Sequence, residues 1–165
     1  PLRTLEIFWR PPFPGWIKIN VDDASKGNPG PAGCGAVFRN HHGHIVGCFF
    51  GGCGTAFSLE AEMLSVIHAI DLALRHGWDN LWIESDSTTI VQAIWKGDFH
   101  LAWPITTRWM NCLQSLHDVN YIATHTYREA NRVADALANK GINQAITWME
   151  ELPENLIPLQ VKDCN

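Results

Sequence analysis

The sequence is short of positive charge. Its 12 lysines and arginines stand against 17 aspartates and glutamates, and the formal net charge is −5 at pH 7. A protein that binds nucleic acid unaided usually carries a basic face, so this composition predicts weak affinity for a phosphate backbone. Long apolar runs are also missing, which excludes a transmembrane helix. The amino terminus lacks the basic-then-apolar pattern of a secretory signal, so an intracellular location, nucleus or cytoplasm, is expected.

Cysteines are few, odd in number and without CxxC spacing. This pattern argues against a structural zinc site and against a disulfide framework, and it predicts reduced thiols in a reducing compartment. The five are Cys34, Cys48, Cys53, Cys112 and Cys164. The chain has 165 residues, of which 46% are hydrophobic. That is enough for one domain with one core.

Proline content divides the chain. Residues 1–15 are rich in proline and are interpreted as a linker. Residues 16–141 carry the periodic hydrophobic pattern of a folded domain. Residues 142–165 are poorly periodic and are interpreted as a C-terminal extension that packs on the domain.

Hydrophobic periodicity predicts an alternation of strands and helices. Apolar and polar residues alternate from Trp16 to Asp22, which is typical of a strand, and two further strands joined by a turn at 41–43 complete an antiparallel meander. Helices then alternate with two more strands, which implies an α/β fold with a five-stranded mixed sheet flanked by helices. Ser58 is the expected N-cap of the longest helix. The remaining predicted bounds are strands at 33–40, 44–51, 80–84 and 119–125, and helices at 58–75, 87–96, from Pro104 to about His117, and 131–139.

Four carboxylates fall where different predicted elements begin or end. They are Asp22, Glu62, Asp86 and Asp135, separated by 40, 24 and 49 residues. Carboxylates that are brought together repel one another unless cations neutralise them, and hard divalent cations prefer oxygen ligands. Two such ions side by side are a known device for phosphodiester cleavage.

Each acid also has an ordinary structural explanation. Asp86 could serve as a helix N-cap, and acids near a helix start, such as Glu60 and Glu62, are favoured by the helix dipole. Glu84 is interpreted as a helix-facing or surface acid. The four-carboxylate hypothesis therefore depends on the local sequence contexts as well as on the spacing.

Those contexts resemble ribonuclease H of type 1. The motifs are IKINVDDASKGNPGPAGCGAV, SLEAEMLSVIHAI, LWIESDSTTIVQAI and HTYREANRVADALANKG, in this order. They are most similar to the ribonuclease H-like domain of plant non-LTR retrotransposon polyproteins, over roughly residues 16–140. The resemblance implies a ribonuclease H-like fold and hydrolysis of the RNA strand of RNA/DNA hybrids. The implied mechanism uses two metal ions and leaves 5′-phosphate and 3′-hydroxyl ends.

The resemblance also implies residue roles and partners. The four acids would bind two Mg²⁺ ions, with Mn²⁺ as a substitute, and His125 would assist proton transfer or product departure. The nucleic-acid-binding residues would be Ser25, Lys26, Gly27, Asn28, Ser58, Ser87 and Thr88, with the first turn contacting RNA 2′-hydroxyl groups. The expected partners are an RNA/DNA hybrid and a reverse transcriptase domain in the same polyprotein. The isolated domain is expected to be monomeric and to have no membrane contact.

Two features depart from the family pattern. Asp23 stands where the family has glycine, and the segment 86–125 holds only two basic residues, Lys96 and Arg108. The basic protrusion of many cellular relatives is therefore missing. These departures favour a second hypothesis, a hybrid-binding or scaffolding domain with little catalysis. A third hypothesis, an integrase-like nuclease acting on DNA, is disfavoured by the GNPGP turn. The eight tryptophans are interpreted as core residues rather than as a base-stacking platform.

Overall fold

The chain folds around a six-stranded mixed sheet. The computed structural model describes residues 8–97 and 105–164, with strands β1 (Ile17–Ser25), β2 (Gly30–Arg39), β3 (Ile45–Ala56), β4 (Asn80–Ser85), β5 (Asn120–His125) and β6 (Thr147–Met149). Their order across the sheet is β5-β4-β1-β2-β3-β6. Strands β1, β4 and β5 are parallel, whereas the β1–β2, β2–β3 and β3–β6 pairs are antiparallel. The α/β class and the meander are confirmed. The predicted count of five strands is wrong, because β6 forms within the segment interpreted as an extension.

Helices pack around this sheet. They are α1 (Ser58–Arg75), α2 (Thr88–Lys96), α3 (Ile105–Ser115), α4 (Arg132–Gly141) and α5 (Ile157–Cys164). The predicted bounds of α1 are confirmed, but its N-cap is Phe57 and not Ser58. The predicted start of α3 at Pro104 lies outside the described residues. Within the described ranges, no helix has the length and apolar character that a bilayer crossing requires.

The two faces of β1 have different environments because side chains alternate along a strand. Ile19 and Val21 belong to the main hydrophobic core, where they join Met63 and Ile70 of α1. Burial of each such side chain contributes about 1.5–3 kcal/mol. The opposite face of β1 carries Lys18, Asn20 and Asp22. All three are buried as well, so the polar face of this strand is not solvated.

Helix α4 lies directly against β2 because two glycines allow it. A Cβ atom at Gly33 or Gly35 would overlap the backbone of Ala138 in α4. A larger residue at either position would push the helix away from the sheet. The close approach holds Asp135, three residues before Ala138, near the sheet.

Trp9 is part of the folded structure, although the segment 1–15 is predicted as a linker. Its side chain is 5% exposed, and its indole Nε1 donates a hydrogen bond to Asn20 Oδ1 at 2.9 Å. The ring also lies against the charged groups of Lys18 and Arg39. The linker interpretation therefore fails at Trp9, whereas residues 1–7 lie outside the described residues.

Candidate active site

The pairing of β1 with β4 sets two of the predicted acids side by side. The strands are parallel, and Val21 pairs with Ser85. Asp22 and Asp86 each follow one member of that pair, so they lie side by side. We call this end of the sheet, where β4 ends, the carboxylate edge; it is distinct from the outermost strands. Parallel strands place functional side chains at their carboxyl ends in many α/β proteins. Asp22 is buried and Asp86 is half-buried.

Glu62 is tied to the same edge through Ser87. The Ser87 hydroxyl donates to Glu62 Oε2 at 3.1 Å and accepts from the backbone N–H of Ile90 at 3.3 Å. Ser87, which directly follows Asp86, is therefore both the N-cap of α2 and the hydrogen-bond partner of Glu62 in α1. The sequence assigned Ser87 to nucleic-acid binding, and its contact with Glu62 could not be read from the motif.

Asp135 approaches from α4. It is half-buried in the first turn of that helix, and Asn139 Nδ2 donates to its Oδ1 at 3.4 Å. Its charge acts on Asp22, Asp23 and Asp86 and raises the pKa of each of them. Asp22, Asp86 and Asp135 thus act on one another electrostatically, and Glu62 is linked to them through Asp86.

A buried polar network lies beneath these acids. Asn20 Nδ2 donates to Glu84 Oε1 at 2.9 Å and to Asn131 Oδ1 at 3.0 Å. Asn131 Nδ2 donates to the carbonyl of Val21 at 3.0 Å. Lys18 Nζ completes the network with an ion pair to Glu84 Oε2 at 3.0 Å. Glu84 is buried, so its interpretation as a helix-facing or surface acid is wrong.

The network residues stand next to the acids in sequence. Asn20 precedes Asp22 by two residues, Glu84 precedes Asp86 by two, and Asn131 precedes Asp135 by four. The hydrogen bonds therefore fix the relative positions of β1, β4 and the start of α4, the three elements that carry those acids.

A cavity of about 360 Å³ opens beside the acids. It is lined by Glu62, Asp86, Ser87, Thr88, His125, Thr126, Tyr127 and Arg128. The ring of Tyr127 meets the ring of His125 edge-on, with centroids 5.3 Å apart. Tyr127 and Arg128 were not assigned from the sequence, because nothing in their spacing marks them as site residues. A larger cavity of about 590 Å³, between α1 and α3, contains none of the predicted site residues.

Burial and mutual repulsion make these carboxylates hard to ionise. Burial, followed by the charge of Asp86, raises the pKa of Asp22 to about 9. Burial, followed by the charge of Glu62, raises the pKa of Asp23 to about 7. Burial also raises the pKa of Glu62 and of Asp86, while the Ser87 hydrogen bond and the Arg128 charge partly offset these two shifts. Asp23 is therefore a fifth carboxylate of the same cluster.

The donor set fits a hard divalent cation. Carboxylate oxygens are the ligands that such cations prefer, and a bound cation would offset the repulsion that opposes ionisation. In the part of the chain that the structure describes, no three His, Cys, Asp or Glu side chains are already grouped at ligand distance. Coordination of one ion by three or more of these acids would therefore require their side chains to move closer together.

The turn between β1 and β2 holds a second group of the predicted nucleic-acid-binding residues. Asn28 Oδ1 accepts the backbone N–H of Ser58 at 2.9 Å, which joins the turn to the start of α1. The Ser25 hydroxyl donates to the carbonyl of Gly27. Lys26, Gly27 and Asn28 are exposed, whereas Thr88 lies apart from them in the cavity. The predicted nucleic-acid-binding residues therefore fall into two groups rather than one.

Replacing Ser87 by alanine is expected to lower hybrid cleavage about tenfold and to raise the Mg²⁺ concentration needed for half-maximal rate. The change removes the Ser87 hydrogen bond to Glu62, a predicted metal ligand. Loss of such an outer partner of a ligand typically costs about 10–100-fold in metal affinity or activity. Loss of the helix cap should lower stability by about 1 kcal/mol. Ser87→Thr is the matched control because it keeps the hydroxyl group. An unchanged Mg²⁺ requirement in Ser87→Ala would show that Ser87 does not orient Glu62.

The pKa of Asp22 gives a stability prediction for the metal-free protein. Because the folded state holds this proton more tightly than the unfolded state, Asp22 has no effect below about pH 4 and destabilises the fold as the pH rises towards 9. Asp22→Asn should therefore raise the free energy of unfolding at about pH 8 by at least about 1 kcal/mol. Urea titrations in the presence of a chelator measure this difference. If Asp22→Asn raised the free energy of unfolding equally at about pH 4 and about pH 8, ionisation of Asp22 would not be the cause.

The fold and the acid edge can now be compared with known proteins. LC11 ribonuclease H1, solved in complex with an RNA/DNA hybrid, aligns with a TM-score of 0.66 and 26% identity over 77% of this chain and 96% of that one. A ribonuclease H of Polynucleobacter asymbioticus is 31% identical over 143 residues, which cover 78% of this chain and 90% of the relative. The architecture is thus that of a ribonuclease H.

Family membership follows from the match of a family model. The model described as reverse transcriptase-like matches residues 20–141, and the chain belongs to this ribonuclease H-like family. A protein of Arabidopsis thaliana, provisionally named as a ribonuclease H protein, is 36% identical over 135 residues. The match covers 81% of this chain but only 22% of that protein, so the chain corresponds to about a fifth of its length.

Proposed function

We propose that this domain hydrolyses the RNA strand of RNA/DNA hybrids and leaves 5′-phosphate and 3′-hydroxyl ends. The observation that carries the proposal is the register of β1 and β4, which sets Asp22 beside Asp86 at the sheet edge. Glu62 joins them through Ser87, and Asp135 reaches them from α4. Family membership and the hybrid-bound structure of LC11 ribonuclease H1 support the same substrate.

The four acids would hold two Mg²⁺ ions, for which Mn²⁺ can substitute. When bound, these ions would polarise the scissile phosphate, activate the attacking water and stabilise the leaving 3′-oxygen. The chain itself supplies the ligands and their orientation. His125 lines the same cavity as Glu62 and Asp86, where it would assist proton transfer or product departure, and the Tyr127 ring packs edge-on against it.

Asn28 can contribute to RNA recognition as a donor. Its Oδ1 already accepts the N–H of Ser58, and its Nδ2 group supplies two N–H donors. A ribose 2′-hydroxyl oxygen can accept from such an amide, and a deoxyribose offers no equivalent atom. Asn28 would therefore contact the RNA strand, with the backbone of Gly27 close by.

The decisive test is a cleavage assay on three substrates of identical sequence: an RNA/DNA hybrid, duplex RNA and duplex DNA. With Mg²⁺ we expect cleavage of the hybrid in its RNA strand, and no cleavage when a chelator is present. If only duplex DNA were cleaved, the protein would be a DNA nuclease and this proposal would be wrong. Binding of the hybrid without cleavage would support the scaffolding function.

Binding of a hybrid without cleavage, the scaffolding function, is favoured by the additional carboxylate of Asp23. Asp23 pairs with Cys34 in the sheet, and its charge interacts with Glu62 and Asp86. An additional negative charge at the site repels phosphate. The shortage of basic residues acts in the same direction.

Replacing Asp23 by glycine is expected to increase hybrid cleavage roughly tenfold at low salt, because like charges close together cost more than 1 kcal/mol. Rates are compared at equal Mg²⁺ concentration. Asp23→Asn keeps most of the bulk and removes the charge, so it separates repulsion from steric crowding. Equal or lower activity in Asp23→Gly would show that Asp23 does not limit the enzyme. Inactivity of all three proteins would favour the scaffolding function.

A further inference from the structure

The turn between β2 and β3 carries three histidines on a well-ordered hairpin. The sequence reads Asn40-His41-His42-Gly43-His44. Asn40 Oδ1 accepts the backbone N–H groups of His42 and His44, each at 3.0 Å. The backbone adds Gly43 N–H to Asn40 O at 2.9 Å and Asn40 N–H to His44 O at 3.0 Å. Four hydrogen bonds thus join four of the five residues of the turn, and none of them uses an imidazole.

The three rings are neighbours. The ring centroids of His41 and His42 are 3.8 Å apart, and those of His42 and His44 are 5.7 Å apart. Two imidazole nitrogens bound to one ion lie about 3.3 Å from each other, since each metal–nitrogen bond is about 2.0–2.1 Å. The rings are tilted against one another, and among the described residues no three such side chains are grouped to hold an ion. Binding therefore requires rotation about the side-chain torsions. His42 and His44 are exposed and His41 is partly exposed.

We propose that this hairpin binds a divalent transition-metal ion of the nickel, copper or zinc class through two or three of its imidazoles. Neutral imidazole is a preferred ligand of these ions, whereas Mg²⁺ prefers oxygen. The ligands come from a turn whose backbone is already fixed by Asn40, so little backbone ordering is required on binding.

This site is separate from the carboxylates. Asp22 pairs with Gly35 in β2, and the hairpin begins five residues further along that strand, or about 16 Å away. Ligand chemistry separates the two sites as well, because one offers imidazole nitrogens and the other carboxylate oxygens. Excess Mg²⁺ can therefore occupy the acids while a softer ion is added to the hairpin.

The test titrates Ni²⁺ into the full chain, prepared without a histidine tag and in excess Mg²⁺. Calorimetry measures stoichiometry and affinity. NMR spectra of the backbone amides locate the bound ion, because paramagnetic Ni²⁺ broadens the signals of nearby amide groups. We expect one ion per chain and broadening centred on residues 40–46. The variant with His41→Gln, His42→Gln and His44→Gln should bind at least about tenfold more weakly, and its Mg²⁺-dependent cleavage should equal that of the parent.

His117→Gln is the matched control, since His117 is an exposed histidine outside the hairpin. Its Ni²⁺ affinity should be unchanged. The single variants His41→Gln and His44→Gln then show which rings coordinate. Undiminished Ni²⁺ binding in the triple variant, or broadening centred on the carboxylate edge or on His117, would overturn the proposal. The Ni²⁺ affinities and the location of the broadening do not depend on whether the domain is a nuclease.

Discussion

Hybrid cleavage should fall on the order of 10³-fold when Asp86 is replaced by asparagine, and the protein should remain folded. The change removes the charge of one proposed metal ligand, at the point where β4 ends, and keeps the shape of the side chain. Metal ions contribute several kcal/mol of transition-state stabilisation, and each 1.4 kcal/mol corresponds to a factor of ten. Single-turnover cleavage of a labelled hybrid at saturating Mg²⁺ measures the loss.

Asp79→Asn is the matched control for this variant. Asp79 is an exposed aspartate that precedes β4, whereas Asp86 follows it. The same chemical change at the other end of the strand should leave cleavage within about twofold of the parent. A folded Asp86→Asn protein that cleaves as fast as the Asp79→Asn protein would remove Asp86 from the proposed metal site.

The second large effect concerns stability, and it follows from replacing Glu84 by glutamine. Glutamine keeps an acceptor for Asn20 but removes the counterion of Lys18, whose side chain is 1% exposed. Breaking a buried ion pair on one side typically destabilises by about 3–5 kcal/mol. We expect the urea midpoint of Glu84→Gln to fall accordingly, and cleavage to fall with it, because the network positions Asp22 and Asp86.

A double variant and a pH series isolate the cause. Lys18→Met combined with Glu84→Gln removes both charges and should recover much of the lost stability. Burial lowers the pKa of Lys18, and Glu84 opposes that shift. In Glu84→Gln the pKa of Lys18 should fall further, so stability should rise with pH between that lowered pKa and the unfolded value. A pH-independent loss that the double variant does not recover would show that packing, not charge, is responsible.

Much of the architecture could be predicted from the sequence because it depends on local periodicity. The alternation of apolar and polar residues in β1 and the apolar stripe of the 18-residue helix α1 each indicate their secondary structure. The predicted bounds of α1 are correct to the residue. β6 was missed because its three residues are too few to show a period, and because its strand character comes from pairing with β3. Tertiary contact decides such short strands.

The candidate site divides in the same way. The four acids are predicted as metal ligands from motifs, since each lies in a recognisable local context, and that role stays a prediction. The network beneath them could not, because Lys18, Asn20 and Glu84 occupy alternate strand positions that look solvated in a sequence. Their burial depends on Trp9 and Asn131, which are distant in the chain. The tryptophans were only partly predicted: Trp109 is buried, but Trp95 is 54% exposed.

The pairing of β6 with β3 bears on where this domain can be cut for laboratory work. Thr147, Trp148 and Met149 cover the backbone of Phe50, Phe49 and Cys48 along the outer side of β3. A fragment that stops at residue 141 would expose that row of amide and carbonyl groups, and open strand edges of this kind recruit other chains into aggregates. The family match ends at residue 141. That point is accordingly a limit of sequence similarity, while the sheet itself extends through β6.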